Sequence, residues 1–204
     1  MKHSLVSRLE SYANELSRLP QVGRKNAYKI LYYLLRNAPE SFDSLTTVLD
    51  KIRHELRFCK ECGGFTEEPE ICTLCSDSGR KTGRYCLVET PFDIIKLEKA
   101  RVFEGVYWVL HGKLNPMEGV LPQHIRIEPL MEKIEEGEVQ EVVFAFSWDM
   151  ESEATIRYIV EKIRDIRPDI KMYRLSTGIP VGTEFQVIDE LSIKNSFENL
   201  YEIH

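Results

Sequence analysis

Four cysteines fall in the run CKECGGFTEEPEICTLC, Cys59 with Cys62 and, after nine intervening residues, Cys72 with Cys75. Two residues between thiols let both sulfurs of a pair converge from one tight turn, and Gly63 and Gly64 give the first turn its backbone freedom. Two such turns facing each other make the tetrahedral four-sulfur shell that Zn2+ prefers. A shell with no open position staples the chain and does no chemistry, so the expected cofactor is one structural zinc per chain. The competing readings are two disulfides or a redox C-x-x-C. Both fit poorly with two identical pairs and with an amino-terminal run, MKHSLVSRLESYANELSRLP, that is amphipathic and lacks the apolar core of a signal peptide. The fifth cysteine, Cys86, lies in the apolar run YCLV and reads as a buried core thiol.

At 204 residues, 43% of them apolar, the chain is large enough for one substantial domain or two smaller ones. No apolar run has the length of a membrane span, and the expectation is a soluble, cytoplasmic protein with no membrane partner. The net charge of −6 is unevenly spread. Residues 1–57 hold ten Lys and Arg against six Asp and Glu, whereas the remainder holds 17 against 27. A basic module on an acidic body is polarised, and a phosphate backbone would bind the basic part.

In that module Leu5, Leu9, Tyr12, Leu16 and Leu19 mark one apolar helical stripe that ends at Pro20. QVGRKNAYKILYYLL restarts the period after Gly23, with Ala27, Ile30, Leu31, Leu34 and Leu35 as core candidates. A short glycine turn between helices exposes the first N–H groups of the second helix to an anion, and Lys25 and Lys29, one turn apart, reinforce that grip. An ordinary helical hairpin with solvated lysines has the same pattern. A third helix is predicted from Phe42 to about Phe58, capped by Asp43 or Ser44, with Leu45, Val48, Leu49, Ile52 and Leu56 on one face.

Beyond Gly83, YCLVE, VYWVLHG, EVVFAF and IKMYRL read as strands, and the segments opening at Pro91, Ile127 and Glu151 as helices. The alternation predicts an α/β fold, a parallel sheet with helices on both faces and sites beyond the carboxyl ends of its strands. Glu89 follows the first strand; Asp149, Glu151 and Glu153 follow the third, on the same edge of the sheet. Glu89 with Asp149 and Glu151 would suit Mg2+ for phosphoryl transfer. Equally, acidic residues simply open helices well. None of the five histidines is paired at ligand spacing and no glycine-flanked serine forms a nucleophile elbow, so an enzyme is the less favoured reading.

The order of the parts resembles the bacterial RecR family of recombination mediators. LPQVGRKNAYKILYYLL is similar to the family's helix-hairpin-helix, the four cysteines to its zinc motif, and YCLVETPFDIIKLE with VYWVLHGKLNPMEGVLP to its Toprim domain. RLSTGIPVGTEFQVIDELSI is similar to its carboxyl-terminal Walker B-like segment. The resemblance spans essentially the whole chain and implies boundaries at 1–57, 58–80, 81–175 and 176–204 for these four parts. Two places depart from the family pattern. Gln21 stands where family hairpins carry a glycine, and SWDMESEAT replaces an Asn-Pro-Thr with a following acidic, glycine-containing stretch, so that Asp149 approaches the D-x-D of catalytic Toprim enzymes and Ser152 takes the glycine's place.

What the resemblance implies is a non-enzymatic, nucleoid-associated DNA-repair protein. Similar proteins act with RecO, and in many bacteria RecF, to place RecA on single-stranded DNA coated by single-strand-binding protein. They bind single- and double-stranded DNA and assemble into dimers and tetrameric rings through their terminal regions. Carried over to this sequence, Lys25 and Lys29 are the DNA contacts, and Glu89, Glu151 and Glu153 lie near the partner-binding surface.

Overall fold

The side chain of Ser4 accepts the N–H of Ser7 at 3.3 Å and starts α1, Leu5–Leu16. The structure, a computed structural model, describes residues 4–36, 39–176 and 190–198. Helix α1 stops short of the predicted Leu19 because Ser17 takes over the cap, its N–H donating to Ala13 O at 2.9 Å. A turn follows, closed by Val22 N–H on Leu19 O at 3.1 Å, with Pro20 and then Gln21 at its centre. Gln21 has φ +62°, the left-handed conformation that the third residue of a type II turn demands. Glutamine thus stands at a position where glycine is the unstrained choice. Gly23 O accepts the N–H groups of Asn26 and Ala27 and opens α2, Arg24–Arg36.

Helix α3 runs Pro39–Glu55, three residues earlier at each end than predicted. Its proposed caps, Asp43 and Ser44, lie inside it, because Pro39 is compatible with a first turn. Its end is set by Arg57 and Phe58, which pair as a strand instead. The predicted apolar stripes do not form a core. Leu5, Tyr12, Leu19 and Leu35 are exposed, and so is the whole α3 face of Phe42, Leu45, Val48, Leu49, Ile52 and Leu56. Among the described residues of these helices, only Ala13 and Ala27 are buried. Helical periodicity shows which residues share a face; it does not show whether anything within the chain covers that face.

The chain divides between Leu56 and Arg57 into two compact units. In the second, β1 (Arg57–Phe58) and β2 (Phe65–Thr66) pair antiparallel around the first cysteine pair, and α4 (Thr73–Ser76) carries Cys75. There follow β3 (Arg84–Val88), α5 (Pro91–Ala100), β4 (Val106–Val109), α6 (Glu128–Glu135), β5 (Glu141–Ala145), α7 (Met150–Ile166), β6 (Lys171–Arg174) and α8 (Glu190–Glu198). The four longer strands form one parallel sheet in the order β4-β3-β5-β6. After β4 the chain crosses to the other side of β3, so the carboxyl ends of β3 and β5 flank the switch point where ligands gather in such sheets.

Alternation along β3 sorts the core into two layers. Tyr85 and Leu87, with Trp108, Val142 and Phe144, pack against Leu130, Met131 and Ile134 of α6 and Ile159 and Ile163 of α7. Cys86 and Val88, with Tyr107 and Val109, pack against Ile94 and Leu97 of α5 and Leu74 of α4. Cys86 is the buried core thiol expected, and burial pushes its pKa up to about 12. Most of the predicted Walker B-like segment, 177–189 and 199–204, lies outside the described residues.

The Gln21 conformation yields a direct test. Gln21→Gly should raise the stability of the amino-terminal unit by up to about 1 kcal/mol, since the left-handed cost for a side chain exceeds glycine's entropic cost. Chemical denaturation followed by circular dichroism would measure it.

Candidate functional site

The sulfurs of Cys59, Cys62, Cys72 and Cys75 all lie within 4.8 Å of one another. The first turn is closed by Gly63 N–H on Cys59 O at 2.9 Å and Cys59 N–H on Gly64 O at 2.7 Å, and the second by Ser76 N–H on Cys72 O at 3.0 Å. Two backbone donors point at sulfur: Gly64 N–H to Cys62 Sγ at 3.2 Å and Cys72 N–H to Cys59 Sγ at 3.3 Å. Such donors stabilise thiolates, and four sulfurs this close fit a tetrahedral dication. The hydrogen bonds with Cys62 and Cys72, together with burial, push the Cys75 thiol up; a metal cation among the sulfurs reverses that preference. The donor set therefore fits zinc, which when bound supplies cross-linking and leaves no position for substrate.

The cysteine segment is fastened to the sheet. Val109 N–H donates to Cys62 O at 2.8 Å, and the Arg126 guanidinium donates to Glu61 O at 2.8 Å and Lys60 O at 3.2 Å while lying 4.4 Å from the centre of the Trp108 ring. Gly63, at φ +77°, leaves the space that Arg126 fills; a Cβ there would collide with the guanidinium. Beside this clamp, the rings of Phe58, Phe65 and Phe92 contact one another in series, and His111 meets Phe58 edge-on at 4.8 Å.

The second cluster lies at the carboxyl edge of the sheet. Asp149 caps α7, accepting the N–H of Ser152 on Oδ1 at 2.8 Å. Its Oδ2 accepts from Lys113 Nζ, also at 2.8 Å. The same ammonium lies 3.4 Å from Glu89 Oε2 and 3.9 Å from Glu151 Oε2, and the Lys113 side chain is only 12% exposed. Burial works against the Lys113 charge, but the Asp149 hydrogen bond and the charge of Glu89 outweigh it and hold its pKa above the usual lysine value. In turn the Lys113 hydrogen bond, with that from Ser152, lowers Asp149 to about 2.

Neighbouring contacts hold this arrangement in place. Asn115 Nδ2 donates to Glu151 Oε1 at 2.7 Å. The buried Thr155 hydroxyl accepts Leu114 N–H at 2.9 Å and donates to Glu151 O at 2.7 Å, tying the loop after β4 to α7. Arg174 pairs with Glu153, donates to Ser147 O at 3.2 Å and stacks 3.7 Å from the centre of the Trp148 ring.

Of the residues singled out in the sequence, the structure brings the four cysteines together, and it brings Glu89 close to Asp149 and Glu151 around one lysine. Glu153 is turned to Arg174 instead. Lys25 and Lys29 lie exposed one turn apart on α2, with Arg24 exposed beside them. Sequence reasoning missed Lys113, Asn115, Arg126 and Arg174. Lys113 had a signal, because the loop after β4 must reach the same sheet edge as Glu89 and Asp149; a search for carboxylates alone passes over it.

Comparison with known proteins bears on both clusters. The family model for the RecR four-cysteine zinc finger domain matches residues 56–77, and that for the Toprim domain matches residues 83–176. The chain is 38% identical over 190 residues to the recombination protein RecR of Tropheryma whipplei (strain Twist), covering 93% of this chain and 94% of that protein. It is 36% identical over 189 residues to the protein of the same name from Syntrophotalea carbinolica, covering 93% and 94%. With that of Bdellovibrio bacteriovorus it shares 32% identity over 204 residues, covering 97% and 98%. With the sulfur geometry, these matches give one structural zinc per chain, on the four-cysteine cluster.

Cys72→Ser should therefore release the metal, as read by mass spectrometry under native conditions, and destabilise the carboxyl-terminal unit by roughly 4 kcal/mol or more. The Asp149 carboxyl should titrate near 2 by NMR and return towards the ordinary value of 3.8 in Lys113→Met. Because its folded pKa is depressed, its contribution to stability is present above about pH 4 and is lost as pH falls from there towards 2.

Proposed function

The chain belongs to the RecR family of recombination proteins, and from that premise we propose that it is a DNA-binding mediator of recombinational repair and not an enzyme. The observation that carries this reading is the basic start of α2. Arg24, Lys25 and Lys29 are exposed there, immediately after a tight turn, in a module of net positive charge. They suit phosphates of single- or double-stranded DNA without reading bases. Lys25 and Lys29 are the principal contacts, and the helix-hairpin-helix of residues 1–57 is the DNA-binding part.

A weak electrostatic grip gains from repetition, and α3 supplies a reason for it. Its uncovered apolar face suits another copy of the chain, in a dimer or a tetrameric ring, with the carboxyl-terminal segment 176–204 as the second oligomerisation element. The sheet edge is the partner surface. Glu89, Asp149, Glu151 and Glu153 outnumber Lys113 and Arg174, so the edge keeps a net negative charge suited to a basic protein, RecO and, where present, RecF. In this role the chain helps load RecA onto single-stranded DNA coated by single-strand-binding protein, in the cytoplasm at the nucleoid.

Lys25→Glu combined with Lys29→Glu should weaken DNA binding at least roughly a hundredfold at moderate salt and flatten its salt dependence, leaving zinc content and melting unchanged. Fluorescence anisotropy of labelled single and double strands across a salt series would measure this. Undiminished binding by the double variant would refute the assignment of the hairpin.

A further inference from the structure

The sheet edge combines three carboxylates in the pattern that holds a divalent cation in phosphoryl-transfer sites, one after β3 and two at the start of α7. In this chain the centre of the pattern is filled. The Lys113 ammonium lies 2.8 Å from Asp149, 3.4 Å from Glu89 and 3.9 Å from Glu151. Mg2+ needs oxygens at about 2.0–2.1 Å in near-octahedral array, and it would have to share the cluster with a positive charge on the same oxygens.

The geometry points to Lys113 as a tethered counter-ion that closes the Toprim carboxylate cluster to divalent metals. Three features keep it there. The loop after β4 is pinned to α7 through Leu114 and Thr155, one residue from Lys113. Asn115, on the other side, holds Glu151. Most of the lysine stem is buried, so its ammonium has little freedom to leave for solvent. Asp149 is both the α7 cap and the lysine's nearest partner, so the acid that makes the cluster look most like a metal site is the one most tightly committed to the lysine. The inference does not depend on the DNA-binding reading, because its test uses no DNA.

The test is Mn2+ titration of the zinc-loaded full chain, followed by electron paramagnetic resonance of the free aqua ion, with Mg2+ as competitor. The wild type should leave Mn2+ free at concentrations where Lys113→Met, which keeps the aliphatic stem, binds one ion per chain at least about tenfold more tightly. That site should vanish again when Asp149→Asn is added. Zinc content and melting temperature report folding, and Lys113→Gln serves as the second variant should Lys113→Met lose its zinc. Stoichiometric Mn2+ binding by the wild type that is lost in Glu89→Gln would overturn the inference. So would a folded, zinc-loaded lysine variant that still ignores the metal.

Discussion

Four sulfurs within reach of one ion are the constraint on which the carboxyl-terminal unit depends. The segment from Arg57 to Arg80 has two two-residue strands, one four-residue α-helix and a single 3-10 turn at Ser78–Arg80, far too little regular structure to hold itself together. Converging thiolates replace the missing core, and the resulting knuckle becomes a layer of the fold. Leu74 covers one face of the sheet beside Ile94 and Leu97, while Arg126 ties the backbone of Lys60 and Glu61 to the ring of Trp108 on the other. Zinc, arginine clamp and sheet are thereby continuous.

The same sheet also carries the acidic edge. There the strands deliver charge, not apolar area, and the protein answers each carboxylate with a local partner: Lys113 for Glu89 and Asp149, Asn115 for Glu151, Arg174 for Glu153. Isolated carboxylates so close together would repel and shift their own ionisation upwards. The largely buried Lys113 ammonium among them offsets that repulsion, and its hydrogen bond lowers the Asp149 carboxyl to about 2. The edge is thus an ordered array of acceptors of modest net charge.

Much of this was legible in the sequence, for physical reasons that differ by element. The cysteine spacing is a geometric requirement of the ion and admits few alternatives. The alternation of short apolar runs with helical periods points to a parallel sheet, and parallel crossovers place Glu89 and Asp149 on one edge. Helix ends were less legible: α3 begins at Pro39 and gives up Phe58 to a strand that exists only because Phe65 lies opposite. Topology places Lys113 at that edge but does not reveal its burial, because a lysine in a loop normally means solvent. Its burial is a product of the Thr155 and Asp149 contacts, which no local pattern encodes. The amino-terminal stripes are genuine faces but not core, since amphipathicity does not say what covers it.

Between the two cysteine pairs, residues 67–71 are exposed, and Glu70 among them meets Lys60 in a surface ion pair. One end of this span is held by the pairing of Thr66 with Arg57 and the other by the metal-ligating Cys72. Apart from the Lys60 N–H bond to Glu70 O and the Glu68 N–H bond to Thr66 Oγ1, each at 2.9 Å, folding constrains the span little, and a few residues gained or lost would alter mainly the closure entropy of a short loop. In an otherwise tightly packed unit, this is where descendants of the sequence are free to diverge.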